Sequence, residues 1–171
     1  MLEGLKLFTP SVFPDERGFF FESFHPRMDL GPFPQDNISF SHKDTIRALH
    51  YQSEPGQAKL VTCLSGAIWD VAVDLRPDSP TFLQYYAVEL NDQNRKQLYI
   101  PIGFAHGFCA LSPALVQYKV SAPYNSKTEC SIRWNDPDLN IAWPTKTPLL
   151  SERDQTSPLL KELFHALDHR R

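Results

Sequence analysis

The chain has 171 residues, of which 42% are hydrophobic, and its formal net charge at pH 7 is −3. This length suits one domain with a sizeable core, and residues 1–171 are predicted to form a single domain. The slightly acidic balance excludes an overall basic field of the kind that holds nucleic acids or anionic membrane surfaces, so we expect neither as a partner.

Short β-prone runs separated by turn residues dominate the chain, which contains 15 prolines and 7 glycines. Their spacing of roughly 8–12 residues is typical of an all-β sandwich or barrel, and all-β is the predicted fold class. The run 67–75 alternates most clearly, with Val71 and Val73 predicted on one face of the strand and Asp70 on the other. In chain order the runs are 18–24, 37–40, 47–52, 58–64, 67–75, 84–90, 97–100, 106–111, 115–120 and 131–134.

A short helix is predicted at the C-terminal end of the chain, packed on the outside of the barrel. Ser157 is a suitable N-cap and Pro158 a suitable first helical residue. The apolar residues that follow have the period of a helix; they are Leu159, Leu160, Leu163, Phe164 and Leu167. Residues 135–154 contain several prolines and little periodicity, which predicts an ordered loop that crosses the barrel.

The sequence favours a cytoplasmic location. No apolar run approaches the ~20 residues that span a bilayer, and the N-terminus lacks a basic segment followed by a long apolar stretch. The three cysteines are odd in number and form no CxxC pair. A disulfide framework is therefore not expected, and a reducing compartment is the simpler interpretation.

Three apolar segments contain polar side chains that could line a cavity. They are IRALHYQ with Arg47, His50 and Gln52, QAKLV with Lys59, and IPIGFAHGF with His106. On a strand, His50 and Gln52 share one face. The interior of a barrel could gather such side chains in one cavity, which is a common type of ligand site. The pattern alone leaves a polar-lined core as an equal alternative.

Eight blocks follow one another along the chain: FPDERGFFFESF, QDNISFS, IRALHYQ, QAKLV, DVAVDLRPDSPTF, IPIGFAHGF, IRWNDPDLNIAWP and LSERD. Together they resemble the dTDP-4-dehydrorhamnose 3,5-epimerase family over essentially the whole chain. The resemblance implies a cupin-type jelly-roll barrel and a homodimer with strand exchange near the N-terminus, in which each pocket takes residues from the neighbouring chain. The implied reaction inverts C3 and C5 of dTDP-4-dehydro-6-deoxy-D-glucose to give dTDP-4-dehydro-L-rhamnose.

The resemblance also implies four catalytic residues. His50, oriented by Asp154, removes a proton next to the C4 ketone, because imidazole titrates near neutral pH. Lys59 stabilises the enolate oxygen, as preorganised cationic donors do. Tyr118 returns a proton from the opposite face of the sugar. Tyr124 is a nearby competitor for this role, and this stretch is where a 3-epimerase and a 3,5-epimerase would differ.

The implied substrate contacts lie mostly in the first third of the chain. Arg17 and Arg47 match contacts to the diphosphate, because the guanidinium fork fits phosphate oxygens in a bidentate way. Phe19 is expected to stack or pack near the thymine. The other expected contacts to the nucleotide or the sugar are Glu22, Gln35, Asn37, His106 and Tyr124.

No metal and no other cofactor are expected. Many cupins bind a metal through a His-x-His pair, a later glutamate and another histidine. Here the pair reads His50-x-Gln52, and Lys59 stands where the glutamate would fall. An ammonium group repels a divalent cation, and His50 and His106 alone make a poor metal site.

One position departs from the family pattern, since the usual RGLH reads RALH and Ala48 replaces the glycine. If that glycine needed a positive φ or a close backbone approach, a methyl group would shift Arg47 or His50. In a regular strand, alanine would be harmless. Three other functions stay open: a single-centre 3- or 5-epimerase of another nucleotide-linked 4-keto-6-deoxy sugar, a non-catalytic sugar-nucleotide-binding cupin, and a metal-dependent cupin oxygenase or isomerase.

Overall fold

The computed structural model describes residues 1–163, and most of its regular structure is β-strand. The strands are β1 (Lys6–Phe8), β2 (Phe13–Asp15), β3 (Gly18–Phe20), β4 (Gln35–Ser41), β5 (Ile46–Gln52), β6 (Lys59–Ser65), β7 (Ala67–Asp74), β8 (Tyr85–Asn91), β9 (Gln97–Ile100), β10 (Phe104–Ala110), β11 (Ala114–Val120) and β12 (Glu129–Ser131). A 3₁₀ turn covers Pro26–Met28, and the helix α1 covers Glu152–Thr156. Within residues 1–163, no helix is long and apolar enough to cross a membrane.

Two five-stranded sheets form the body of the fold. The first sheet has the strand order β1-β9-β6-β11-β4 and the second the order β12-β5-β10-β7-β8, while β2 and β3 form a separate hairpin. The pairs within both sheets are antiparallel. The predicted all-β, cupin-type double-sheet fold with a short helical C-terminal part is therefore confirmed.

The main core lies between the two sheets. Val61 and Leu98 from the first sheet pack there against Ile68 and Phe104 from the second. The strands that build this layer contribute alternate residues to it, such as Phe108 and Ala110 of β10, because successive side chains of a strand point to opposite faces. Burial of one such large side chain contributes about 1.5–3 kcal/mol to the hydrophobic stabilisation.

A second apolar layer covers the outer face of the second sheet. Val71 and Val73 of β7 belong to this layer, together with Ile132, Leu139 and Leu160 from the C-terminal segment. The predicted alternation of β7 is thus confirmed. Residues 132–160 cross the sheet as expected, so β7 and β10 are buried on both faces.

The C-terminal helix begins later than its capping signal indicates. Ser157 closes α1 instead, and its hydroxyl donates a hydrogen bond to the Arg153 carbonyl at 2.9 Å. The next helical residues are 160–163, and the Glu162 carboxylate accepts a hydrogen bond from the Leu159 N–H at 2.7 Å. Phe164 and Leu167 lie outside the described residues. The N-cap expectation was wrong because Ser157 serves another helix.

Ala48 lies at an irregular point of the sheet. His106 pairs with His50 but Phe108 pairs with Arg47, so Ala48 and Leu49 form a bulge on β5 opposite Gly107. The Ala48–Leu49 peptide is cis, and Ala48 does not have a positive φ. Ala48 belongs to the outer apolar layer, so its methyl group packs away from the interior between the sheets.

The missing side chain of Gly107 makes room for this methyl group. A Cβ atom placed on Gly107 would lie 2.3 Å from the Cβ of Ala48 and 2.8 Å from the Arg47 carbonyl oxygen. Both distances are far below van der Waals contact. The glycine that the chain needs for close packing at this point is therefore Gly107, and Ala48 is accommodated.

We expect Gly107→Ala to lower the free energy of unfolding by about 1–3 kcal/mol, because it overpacks this contact. Urea denaturation of the variant and the wild type would measure the loss. The double variant Gly107→Ala, Ala48→Gly removes the opposing methyl group but leaves the Arg47 carbonyl oxygen in place, so it should recover part of the loss. Equal losses in the single and double variants would contradict this account of the contact.

Candidate active site

A cavity of about 230 Å³ lies between the two sheets. It is lined by side chains of β4, β6 and β11 from the first sheet and of β5, β10 and β12 from the second. The expected site residues among them are Asn37, Arg47, His50, Lys59, His106, Tyr118 and Tyr124. The fold therefore gathers into one cavity side chains that the sequence spreads over almost 90 positions.

The cavity begins where the inner positions of the strands change from apolar to polar. On β6, Lys59 is two residues from the core residue Val61, and on β11, Tyr118 is two residues from Val116. On β10, His106 follows Phe104 at the next inner position. The same alternation that builds the core thus points these polar side chains into the cavity.

His50 and Asp154, which are 104 positions apart, form a direct contact. The His50 Nε2 atom lies 2.6 Å from Asp154 Oδ1, and Asp154 is buried. An ionised carboxylate only accepts hydrogen bonds, so the ring donates its Nε2–H and keeps a lone pair on Nδ1. The Ser151 hydroxyl fixes the start of α1 by accepting a hydrogen bond from the Asp154 N–H at 3.1 Å.

A second histidine–aspartate pair lies beside the first. His106 Nε2 is 2.8 Å from Asp70 Oδ1, and both residues are buried. Burial lowers the pKa of His106 more than Asp70 raises it, and Lys59 and His50 lower it further. His106 is therefore neutral at neutral pH. The other Asp70 oxygen, Oδ2, has no hydrogen-bond partner among residues 1–163.

Asp70 was not identified as a site residue from the sequence, although a signal was present. It occupies an inner position in the middle of a mostly apolar strand, between the core residues Ile68 and Ala72. A carboxylate at such a position needs a partner, because burying an unpaired charge is costly. That partner, His106, comes from the neighbouring strand β10.

Lys59 is a buried cation at the floor of the cavity. It is 7% exposed, and its Nζ atom lies 3.4 Å from the His50 carbonyl oxygen. Burial lowers the pKa of Lys59 to about 8, against the opposing effects of Asp70 and Glu129. The side chain is therefore mainly an ammonium group at neutral pH, in surroundings where its field is strong.

Two tyrosines line the cavity in different states. Tyr118 is half-buried, and burial raises its pKa, which keeps the phenol protonated. Its hydroxyl forms no hydrogen bond with any of residues 1–163 and is available to a ligand. Tyr124 is exposed at the mouth, where the Glu129 carboxylate raises its pKa by interacting with its hydroxyl.

Polar residues of β4 and β5 shape the mouth of the cavity. Arg47 donates hydrogen bonds from Nε to the Ser41 hydroxyl at 3.0 Å and from Nη2 to the Phe40 carbonyl at 3.1 Å. Gln35 donates to Asn37 Oδ1 at 2.8 Å and accepts from the Tyr124 N–H at 2.9 Å. The Gln35 side chain thus links β4 to the segment that carries Tyr124.

Four expected substrate contacts do not line this cavity within one chain: Gln35, which is bonded to the lining residue Asn37, and three residues near the N-terminus. Arg17 pairs with Asp15 at the tip of the β2–β3 hairpin, and Phe19 is exposed. Glu22 forms an ion pair with Arg27. None of these three residues lines the cavity of its own chain.

Four further residues line the cavity and were not singled out from the sequence: Ser39, Gln57, Phe108 and Glu129. Glu129 is the most informative, because its carboxylate accepts a hydrogen bond from Arg153 Nη1 at 2.6 Å. It lies on a strand of three residues, too short for any periodic pattern to indicate which way its side chain points. No signal in the sequence would have found it.

The fold and the site define a class of protein: a double-sheet barrel whose cavity holds a paired imidazole, an ammonium group and a free phenol, as an acid–base isomerase requires. The model of the family dTDP-4-dehydrorhamnose 3,5-epimerase matches residues 1–162. The chain therefore belongs to the dTDP-4-dehydrorhamnose 3,5-epimerase family, as its eight blocks indicated.

Individual relatives agree with this assignment. The chain is 49% identical over 156 residues to dTDP-4-dehydrorhamnose 3,5-epimerase of Shigella flexneri, covering 86% of each chain. It is 41% identical over 169 residues to dTDP-4-dehydrorhamnose 3-epimerase of Streptomyces niveus, covering 94% of this chain and 82% of that one. The crystal structure of dTDP-6-deoxy-D-glucose-3,5-epimerase from Legionella pneumophila, in complex with dTDP-4-keto-L-rhamnose, is 44% identical, with a TM-score of 0.91, and covers 95% of this chain and 91% of that chain.

We expect Lys59→Met to raise the free energy of unfolding at pH 7. The pKa of Lys59 is lowered from 10.5 to about 8 by folding, so burial of the ammonium group destabilises the protein fully below pH 8. Between pH 8 and 10.5 the unfolded chain binds more protons, and wild-type stability should rise with pH. The gain at pH 7 should be about 3 kcal/mol, and this rise should be absent from the variant.

Urea denaturation at several pH values would test this expectation. Lys43→Met is the matched control, because Lys43 is exposed and its replacement should change stability little. A Lys59→Met protein less stable than the wild type at pH 7 would contradict the buried-cation interpretation.

Proposed function

We propose that the protein is a dTDP-4-dehydrorhamnose 3,5-epimerase of rhamnose biosynthesis. It converts dTDP-4-dehydro-6-deoxy-D-glucose to dTDP-4-dehydro-L-rhamnose by inverting C3 and C5. The observation that supports this most strongly is the paired His50 facing Lys59 and the free Tyr118 hydroxyl across one cavity, in a chain that the family model matches from residue 1 to 162.

The reaction begins with proton removal next to the C4 ketone, which acidifies the hydrogens on C3 and C5. His50 takes the proton on its free Nδ1, and Asp154 stabilises the imidazolium that forms. The electron pair left behind gives an enolate, whose negative charge develops on the C4 oxygen. Lys59 stabilises that oxygen, and such a preorganised donor contributes about 3 kcal/mol to transition-state stabilisation.

The inversion follows from the placement of base and acid on opposite sheets. His50 lies on β5 of the second sheet, whereas Tyr118 lies on β11 of the first. A sugar ring held between the sheets presents one face to each. Removal of the proton by His50 and its return by the Tyr118 phenol therefore occur on opposite faces, which inverts the carbon. Tyr124 is better suited to substrate binding than to proton return, because its hydroxyl interacts with the Glu129 carboxylate.

Binding of the nucleotide diphosphate requires cations near the mouth. Arg47 lines the cavity and is exposed, so its guanidinium can turn towards a phosphate. Gln35, Asn37 and His106 offer hydrogen bonds to the sugar. No step of this mechanism uses a metal or an organic cofactor, because the side chains supply base, acid and oxyanion stabilisation.

A homodimer with strand exchange near the N-terminus would complete each site. Arg17, Phe19 and Glu22 do not reach the cavity of their own chain. The hairpin that carries Arg17 exposes large apolar side chains, and the edge strand β4 exposes Ile38 and Phe40. Exposed apolar side chains next to an open sheet edge are typical of a protein–protein interface. The hairpin of each chain and the residues directly after it then supply Arg17, Phe19 and Glu22 to the partner's cavity.

The proposed location is the cytoplasm. Cys63, Cys109 and Cys130 are all free thiols within the described residues, which suits a reducing compartment.

A single-centre 3-epimerase is the second candidate function, because the Streptomyces niveus relative carries that name at 41% identity. Both candidates use the same base and the same enolate chemistry. They differ in whether one or both carbons exchange their hydrogen with solvent.

We expect deuterium at both C3 and C5 when the protein acts on dTDP-4-dehydro-6-deoxy-D-glucose in D₂O, read by NMR. His50→Ala should lower kcat by about 10³-fold, with little change in the affinity for dTDP, because it removes the base and not a nucleotide contact. Deuterium at C3 alone would establish the 3-epimerase, and a His50→Ala enzyme with unchanged kcat would refute the base assignment.

The dimeric site can be tested by mixing Arg17→Ala, which should mainly raise KM, with His50→Ala, at a substrate concentration at which each variant alone is inactive. If Arg17 acts in the partner's cavity, each mixed dimer has one intact site. Random mixing makes about half of the dimers mixed, so the preparation should regain about a quarter of wild-type activity. If Arg17 acts in its own chain, no site is intact and the mixture stays as inactive as its components.

A further inference from the structure

The helix that carries Asp154 is attached to β12 by side chains. Helix α1 has five residues, which is too short for a helix to be stable without tertiary contacts. The Arg153 Nη1 atom donates to Glu129 Oε2 at 2.6 Å. The Ser157 hydroxyl, whose proton goes to the Arg153 carbonyl oxygen, accepts a hydrogen bond from the Ser131 hydroxyl at 2.9 Å. The helix is thus attached at both ends of the segment that contains Asp154.

The strand that anchors α1 is the direct neighbour of the strand that carries the base. In the antiparallel pairing of β12 with β5, Ser131 lies opposite His50 and Glu129 lies opposite Gln52. The two members of the His50–Asp154 pair therefore belong to separate elements that β12 joins. A shift of α1 relative to β12 would move Asp154 away from His50.

Besides its contact with Arg153, Glu129 lines the cavity. Among the described residues that line the cavity it is the one carboxylate. It lies close enough to Lys59 to raise the pKa of that ammonium group. An unpaired carboxylate at this position would repel a diphosphate, and Arg153 offsets its charge.

We propose that Glu129 and Arg153 are positioning residues that hold Asp154 against His50 and neutralise the carboxylate facing the bound diphosphate. The proposal rests on the proposed function, because it assigns a role to the pair in that reaction. Neither residue needs to touch the reacting carbons. The pair acts through the imidazole–carboxylate contact on one side and through the charge of the cavity on the other.

The two roles predict different effects for the two ways of breaking the pair. Glu129→Gln and Arg153→Gln both release α1, so each should lower kcat by about tenfold. Their effects on dTDP binding should differ. Arg153→Gln leaves Glu129 without its ion-pair partner and should weaken dTDP binding by about five- to tenfold, whereas Glu129→Gln removes the carboxylate and should leave the affinity unchanged or higher. Steady-state kinetics and calorimetry with dTDP would measure these values.

Three controls separate positioning from general damage to the fold. Arg153→Lys keeps the charge and should recover most of kcat. Glu152→Gln removes a carboxylate from the same helix at an exposed position and should behave as the wild type. The hydrogen-bonded His50 ring proton, observed by NMR without substrate, should give a downfield signal in the wild type and lose it in both Gln variants.

The possible outcomes are distinct. A Glu129→Gln protein with wild-type kcat and an intact His50 signal would overturn the positioning role. Equal weakening of dTDP binding in both Gln variants would overturn the neutralising role. A wild-type protein inactive on the sugar would refute the proposed function instead. The His50 signal would then still test the positioning role, and the dTDP affinities would still test the neutralising role.

Discussion

The burial of both faces of the second sheet is the constraint on which the rest of the structure depends. The inner face of this sheet packs against the first sheet, and its outer face would be an exposed apolar surface without residues 132–160. Covering that surface is a large hydrophobic gain. The covering segment also brings Asp154 to His50. One stretch of chain therefore both completes the fold and completes the candidate site.

The site contains ionisable groups at buried positions that apolar side chains ordinarily occupy. Lys59, Asp70, His106 and Asp154 are all buried. Their burial is tolerable because they neighbour one another in opposite-charge or hydrogen-bonded pairs. Buried charged groups lose hydration, which lowers the stability of the fold. In return, a cavity with little water strengthens their electrostatic interactions with a reacting substrate.

Much of the strand pattern could be predicted from the sequence, because alternation and turn residues act locally. The run 97–100 coincides with β9, and the faces of β7 are as expected. The strands β1 and β2 were missed, and β12 overlaps the predicted run 131–134 only at Ser131, since three residues carry no period. The start of the C-terminal helix was misplaced because Ser157 closes α1, a helix whose five residues give no pattern of their own.

The candidate site was predictable to the extent that single strands point into the barrel. His50, Lys59 and His106 could be found as polar residues within apolar runs, and the structure places all three in the cavity. The contact of His50 with Asp154 depends on the path of the covering segment, which no spacing in the sequence encodes. Arg17, Phe19 and Glu22 do not line the cavity of their own chain, and the strand pattern of one chain does not indicate where else they could act.

The path of the covering segment has a consequence for biosynthesis. Asp154 follows every strand of both sheets in chain order, so a ribosome completes the barrel strands before it releases the partner of His50. Domains fold from the N-terminal side as they emerge. A nascent or interrupted chain that has built the barrel still lacks its carboxylate and still exposes the outer face of the second sheet. Its exposed apolar surface is the kind that chaperones and proteases recognise. In the proposed mechanism such a chain is also inactive, so catalysis starts only in chains whose last apolar surface has been covered.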